Sequence, residues 1–545
     1  MHLGLGHAMK QFGAIVFCVA ATTMFSPTAQ GAPASCESLR ALRLPNATID
    51  VAASVPAGNF SRPGAGGLPQ TFNALPAFCR IAATLRPTAQ SDIKIEVWLP
   101  MMWNGKFQAV GNGQWAGTIS YGAMASALRA GYATTSTDTG HVGNTAQFAV
   151  NVEKLVDYSW RSEHEMTLKA KAIIAAFYGT PPRYSYWNGC STGGRQGLKE
   201  VTLFPREFDG LVIGAPANYR AARNAWQMDI IASVNRNPAG TLSEAKLNLI
   251  NRATLDACDI LDGVEDGLLV NPKVCRFDPA ALTCKGAENG TCLTSAQVTT
   301  ARRILSPGKL RDGREYQPGP EISSVLGVYG NRPPGWATWA QLGSEPAPND
   351  NFVYVVYKDP KWDWRNFQVT TALPLAEEAN AIETAHAADL STFLQGGGKI
   401  IFYHDWSDPS VAPQATINYF NEVQKVSARA AEATQLFLVP GMGHCTGGAG
   451  ATDTFDAVAA LDRWVTVQTP PQAIPASRVE GARVTRTRPL CPYPQVAKYD
   501  GTGSSDDAAN FPAPHPDSSL RPAHPGRRSQ HLPSLWSRFA SFPAA

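Results

Sequence analysis

The sequence predicts an α/β layer fold: a mostly parallel sheet covered by helices and interrupted by one large insertion. Three observations predict it. Short apolar runs of strand length recur along the chain. Segments with helical periodicity stand between some of them. Between about residues 217 and 395 the alternation gives way to a stretch with four cysteines, an acidic loop and many aromatics.

Taken in order, Phe12 to Ala21 is an apolar run preceded by Lys10 and followed by small residues from Ala29 to Ala34. Residues 1–34 therefore read as a secretory signal. The run is too short for a membrane span. A lipidated cysteine would follow a small residue, and Cys18 follows Phe17, so no lipid anchor is expected. Strands are expected at Ile93 to Leu99, Phe107 to Val110, Tyr132 to Thr137, Tyr184 to Trp187, Leu211 to Ile213, Lys399 to Tyr403 and Gln435 to Val439. Helical patterns run from His164 to Phe177 and from Pro413 to Val426. This gives a discontinuous catalytic core over 35–216 and 396–511, with 217–395 inserted as a lid domain. Residues 512–545 are rich in Pro, Ser, Arg and His and are expected to be disordered. The net charge of +3 over 545 residues gives no field for nucleic acid or an anionic membrane.

Removal of the signal leaves nine cysteines, a density that fits an oxidising compartment. Short spacings suggest Cys258–Cys275 and Cys284–Cys292, and Cys36–Cys79 would staple the mature N-terminus. Cys491 is left without a partner.

The chemistry is concentrated in Gly189-Cys190-Ser191-Thr192-Gly193, which follows one expected strand and precedes a helix start at Arg195 to Val201. A serine at a sharp strand-to-helix turn is a nucleophile elbow, the mark of an α/β-hydrolase core. Its base should follow late in the chain. His444, in Gly441-Met442-Gly443-His444-Cys445, stands just after the strand ending at Val439. Each candidate thus has a cysteine beside it; if Ser191 and His444 meet, Cys190 and Cys445 can be bridged. Closing that loop is worth roughly 5 kcal/mol in the chain-entropy model.

The orienting acid should lie between serine and histidine in chain order. Asp405 and Asp408 both follow the strand at Lys399 to Tyr403. Asp408 is favoured because it is further into the loop, and Asp405 is expected to cap the turn. Backbone N–H groups of Thr192 and of Gly113, in the loop after the Phe107–Val110 strand, are the candidate oxyanion donors.

Within the insertion, Asp259, Asp262, Glu265 and Asp266 alternate with turn glycines. Closely spaced hard oxygen ligands suit Ca²⁺, although Val264 and Val270 occupy the positions where an EF-hand needs Gly and Glu.

Together these residues resemble the tannase and feruloyl esterase family, which includes the hydrolase of mono(2-hydroxyethyl) terephthalate. The resemblance runs from about Cys36 to Phe511 and rests on Cys190-Ser191, Asp408 and His444-Cys445. It implies a Cys190–Cys445 disulfide and a Ser191, Asp408, His444 triad. It also implies a structural Ca²⁺ in the lid, held by side chains of Asp259, Asp262 and Asp266 and by carbonyls of Val264 and Leu268. The chain departs from the family in having Asp405 where a glycine usually follows histidine, and in a C-terminus that lacks a partner for Cys491; a frameshifted end is one explanation.

The expectation is a secreted serine esterase acting on small phenolic or aromatic esters, with no nucleic-acid or membrane partner and an oligomeric state the sequence does not fix. Trp336, Trp339, Phe352 and Tyr354 are lid aromatics that either flank an acyl ring or form lid core. Arg332 and Arg365 are the cations available for a charged acyl group. Tannase or terephthalate-monoester hydrolase activity is the alternative within the class. Outside it stand a non-catalytic binding protein on a hydrolase scaffold and a hydrolase with calcium at its reaction centre.

Overall fold

A computed structural model describes residues 35–63, 69–115, 117–328, 335–340 and 349–512. The expected signal, the expected disordered tail from residue 513 onward and Arg332 lie outside the described residues.

Nine strands form one sheet: β1 (Ala47–Val55), β2 (Phe78–Leu85), β3 (Ile93–Pro100), β4 (Lys106–Val110), β5 (Ala133–Thr137), β6 (Tyr184–Cys190), β7 (Gly210–Gly214), β8 (Lys399–Asp405) and β9 (Thr434–Val439). Their order is β1-β2-β3-β5-β4-β6-β7-β8-β9. Pairing is antiparallel from β1 to β5 and parallel from β5 to β9. All seven residues of β8 are buried. That is what a parallel strand covered on both faces requires, and it explains the unbroken apolar run Ile400 to Tyr403 at its centre.

Helices α1 (Tyr121–Arg129), α2 (Ser162–Tyr178), α3 (Thr192–Leu203), α4 (Arg220–Arg236), α5 (Glu244–Cys258), α6 (Ser295–Leu305), α7 (Val369–Ala379), α8 (Pro413–Val426) and α9 (Ala457–Val467) accompany the sheet and its insertion. On one side Met166 and Ile173 of α2, Leu198 of α3 and Phe420 of α8 join Trp187, Phe402 and Leu436 of the strands in one cluster. On the other, Ala127 of α1 and Leu461 and Trp464 of α9 pack against Tyr186, Ile401 and Phe437. Alternate strand residues thus serve opposite cores.

Between β7 and β8 the chain builds a separate apolar cluster from α4, α5, α6 and α7. Trp336, Trp339 and Phe352 belong to this cluster, and Tyr354 packs beside it against the cluster holding Trp115. Arg365 is exposed and paired with Asp363.

Four disulfides are present: Cys36–Cys79, Cys190–Cys445, Cys258–Cys275 and Cys284–Cys292. Cys491 is free and buried, and burial pushes its thiol up to about 11. Among the described residues, no helix is long and apolar enough to cross a membrane.

Candidate active site

In an open α/β sheet the C-terminal ends of the parallel strands face a common crevice. Here Ser191 follows β6, Asp408 follows β8 and His444 follows β9. Ser191 has φ 61° and ψ −120°. For a residue with a Cβ this conformation costs about 1–3 kcal/mol, and the surroundings must hold it. The Ser191 N–H donates to the Gly214 carbonyl (2.9 Å), while the Ser191 carbonyl accepts from Arg195 N (3.0 Å) and Ala217 N (3.1 Å). The flanking glycines are sterically required: a Cβ on Gly189 would stand 2.5 Å from the Gly193 carbonyl carbon.

The Cys190–Cys445 disulfide joins this turn to the histidine loop across 255 residues, with Cα atoms 6.1 Å apart. One residue step on each side places the Cα atoms of Ser191 and His444 within about 14 Å. The insertion braces the same loop, since His444 N–H donates to the Val328 carbonyl at 2.7 Å.

His444 Nδ1–H donates to Asp408 Oδ2 at 2.6 Å. Asp408 is fully buried, and its Oδ1 accepts from Ser410 N (2.7 Å) and Val411 N (2.9 Å). Burial opposes its charge, but the imidazoles of His444 and His404 outweigh that and hold its carboxyl well below the usual carboxylate range. His404 Nε2–H donates to the Val411 carbonyl (2.9 Å) and lies 3.3 Å from Asp408 Oδ2.

Asp405 was expected to cap the turn, and its side chain does not. Its Oδ2 instead accepts the Cys445 N–H at 2.8 Å, tying the β8 end to the residue after His444. Burial, and then the charge of Asp408, push its carboxyl well above the usual range; the Cys445 amide only partly opposes this. The two aspartates are thus driven apart electrostatically, and Asp408 is the one bonded to the imidazole.

Thr192 is the first residue of α3, so its N–H has no intrahelical acceptor. Gly113 is exposed in the loop after β4. This loop is fastened to α3 by a reciprocal amide pair: Asn112 N–H donates to Gln196 Oε1 (2.9 Å) and Gln196 Nε2 to Asn112 Oδ1 (3.1 Å). The next carbonyl, that of Gln114, accepts from both Tyr158 Oη and Thr192 Oγ1 at 2.8 Å. Arg220, buried over the Trp115 ring and paired with Glu383 at 3.0 Å, donates to Tyr158 Oη at 2.6 Å.

None of Tyr158, Arg220, Glu383 or Gln196 was legible in the sequence, because each acts across more than thirty intervening residues and sits in no motif. Only His404, four residues before Asp408, offered a local signal. The Tyr158→Phe variant removes one of the two hydroxyls on the Gln114 carbonyl. A lost hydrogen bond of about 1.4 kcal/mol predicts a tenfold fall in kcat. Steady-state kinetics should show KM little changed.

In the insertion, Asp259 to Asp262 form a short 3₁₀ turn after α5. Asp259 Oδ2 accepts from Gly267 N (2.8 Å) and Asp262 Oδ1 from Val264 N (3.1 Å). Asp266 Oδ1 accepts from Leu268 N (3.2 Å), while its Oδ2 pairs with Arg488 at 2.6 Å. The other oxygens of the first two, Asp259 Oδ1 and Asp262 Oδ2, are buried and have no hydrogen-bond partner. Burial, with the neighbouring carboxylates, pushes Asp262 up to about 6. Bare buried carboxylate oxygens are costly unless a cation meets them, so the loop fits a hard divalent ion.

Comparison with known proteins shows the family. A family model described as tannase and feruloyl esterase matches residues 79–513. An uncharacterized esterase of Xanthomonas campestris pv. campestris is 35% identical, covering 89% of this chain and 92% of its own length. Feruloyl esterase C of Talaromyces stipitatus is 32% identical, covering 87% and 93% respectively. The crystal structure of feruloyl esterase B from Aspergillus oryzae superposes with a TM-score of 0.81 at 29% identity, covering 88% of this chain and 99% of that one.

Proposed function

The chain belongs to the tannase and feruloyl esterase family and is a carboxylic ester hydrolase, and from that premise we propose that it is a secreted serine esterase cleaving phenolic-acid esters through an acyl-enzyme. The observation that carries the reading is the buried Asp408–His444 hydrogen bond, tethered by the Cys190–Cys445 disulfide to the strained turn at Ser191.

Ser191 Oγ adds to the ester carbonyl as His444 takes its proton. Asp408, held anionic, fixes the imidazole tautomer and stabilises the imidazolium. The N–H groups of Thr192 and Gly113 receive the oxyanion. Collapse breaks the bond to the alcohol oxygen, and His444 protonates the leaving alcohol. Water, deprotonated by His444, then attacks the acyl carbonyl and releases the acid and Ser191.

The names of the fungal relatives favour a hydroxycinnamoyl group such as ferulate. The test compares kcat/KM for methyl ferulate, methyl gallate and a terephthalate monoester. The reading expects the ferulate ester to lead; a dominant gallate or terephthalate rate would move the assignment. Stoichiometric labelling of wild type by a fluorophosphonate, absent in Ser191→Ala, separates an esterase from a binding protein. Export is supported by the signal-like residues 1–34 and the four disulfides.

Ca²⁺ is proposed as a structural ion, with Asp259, Asp262 and Asp266 and the carbonyls of Val264 and Leu268 as its holders. It would neutralise the buried carboxylates of the loop. Chelation is expected to lower Tm by several degrees in scanning calorimetry, reversed by added Ca²⁺, while kcat measured well below Tm holds. Immediate loss of turnover in the still-folded protein would point instead to a metal at the reaction centre.

A further inference from the structure

A second group of ligand atoms lies away from the triad. His164 in the first turn of α2, Glu200 in the last turn of α3 and Glu207 in the loop before β7 bring one imidazole nitrogen and two carboxylate oxygens within 4.8 Å of one another. Glu200 is 1% exposed, and its oxygens meet no donor from the rest of the protein, only the carboxyl of Glu207. Glu207 Oε2 is likewise unpartnered. His164 Nδ1 stands 2.7 Å from Glu207 Oε1 but out of line for a hydrogen bond. The ring is held in place by Phe204, which stacks on it at 3.7 Å.

The cationic side chains nearby are turned to other work. Lys171 Nζ donates its hydrogen bond to the Glu207 carbonyl and acts on the two carboxylates only through space. The Arg195 guanidinium donates to the carbonyls of Tyr158, Ser159 and Glu383. The adjacent Glu163 is satisfied by Ser162 Oγ and Gln196 Nε2. Two facing carboxylates are therefore left with bare oxygens and an imidazole nitrogen beside them. Carboxyl groups that face one another in a buried site either share a proton or meet a cation, and a nitrogen ligand beside them favours the cation.

We propose that His164, Glu200 and Glu207 bind one divalent transition-metal ion of the Zn²⁺ class, distinct from the calcium loop. A nitrogen with two carboxylates is a donor set suited to Zn²⁺, whereas Ca²⁺ takes oxygen alone. Such an ion would pin the start of α2 to the far end of α3, the helix that follows Ser191, so its effect is on stability and not on chemistry.

The test uses the full mature protein, stripped with chelator and reloaded with saturating Ca²⁺, then titrated with Zn²⁺. One ion should bind, and Tm should rise by about 3 °C at a hundredfold excess over Kd. Both effects should vanish in Glu200→Gln and in His164→Ala. Co²⁺ should give visible d–d absorption in wild type that the same variants lack. Glu200→Gln is near-isosteric, so it keeps the assay readable if His164→Ala misfolds. An unchanged Zn²⁺ response in Glu200→Gln would overturn the proposal. So would the absence of any Zn²⁺ shift in wild type, or an infrared carboxylic-acid band at Glu200 that persists with Zn²⁺ present.

Discussion

Ser191→Ala is expected to lower kcat by about six orders of magnitude, leaving a rate some thousandfold above that of water, which the oxyanion donors and binding alone supply. The fold should survive, because the backbone hydrogen bonds to Gly214, Arg195 and Ala217 do not use the side chain. Ser191→Gly sharpens the test. At φ 61° the strain belongs to the Cβ, so glycine should be equally inactive yet more stable than the alanine variant by about 1 kcal/mol. Urea melts of the two variants, read beside single-turnover kinetics, check both halves. Turnover of Ser191→Ala within tenfold of wild type would remove the serine from the reaction.

Asp408→Asn is expected to cost about four orders of magnitude in kcat, because an amide offers the wrong partner to His444 Nδ1–H and leaves the imidazole free to take the other tautomer. The adjacent Asp405→Asn supplies the contrast. Its role is to accept the Cys445 N–H, which an amide oxygen does equally well, and it also loses a carboxyl that is held high by burial and by Asp408. That variant should stay within about tenfold of wild type, the scale of one ordinary hydrogen bond. Equal losses in both would mean that the two carboxylates act as a unit.

Much of this molecule could be read in its sequence where the signal is local. The parallel strands β7 and β8 are buried on both faces, so they appear as apolar runs, and α8 was bounded by Pro413 at its start. Strands β1 and β2 were not anticipated; their alanines, serine and threonines carry no strong alternation, and the antiparallel pairing of β1 on β2 and of β2 on β3 supplies what propensity does not. The serine turn, the histidine loop and the four disulfides were legible because glycine and cysteine mark them. The buried polar network on the Gln114 carbonyl was not, since Tyr158, Thr192 and Arg220 meet only after the sheet, the elbow and the insertion have been assembled. Asp405 was misjudged for the same reason: its partner, Cys445, arrives from another strand.

The long covalent bridge has one more consequence. A protease that cuts the backbone anywhere between Cys190 and Cys445 would not release a fragment, because both pieces stay linked through those two sulfurs and through the hydrogen-bonded edge between β7 and β8. Clipping within the inserted segment would therefore yield a two-chain enzyme that migrates as one species until a thiol is added.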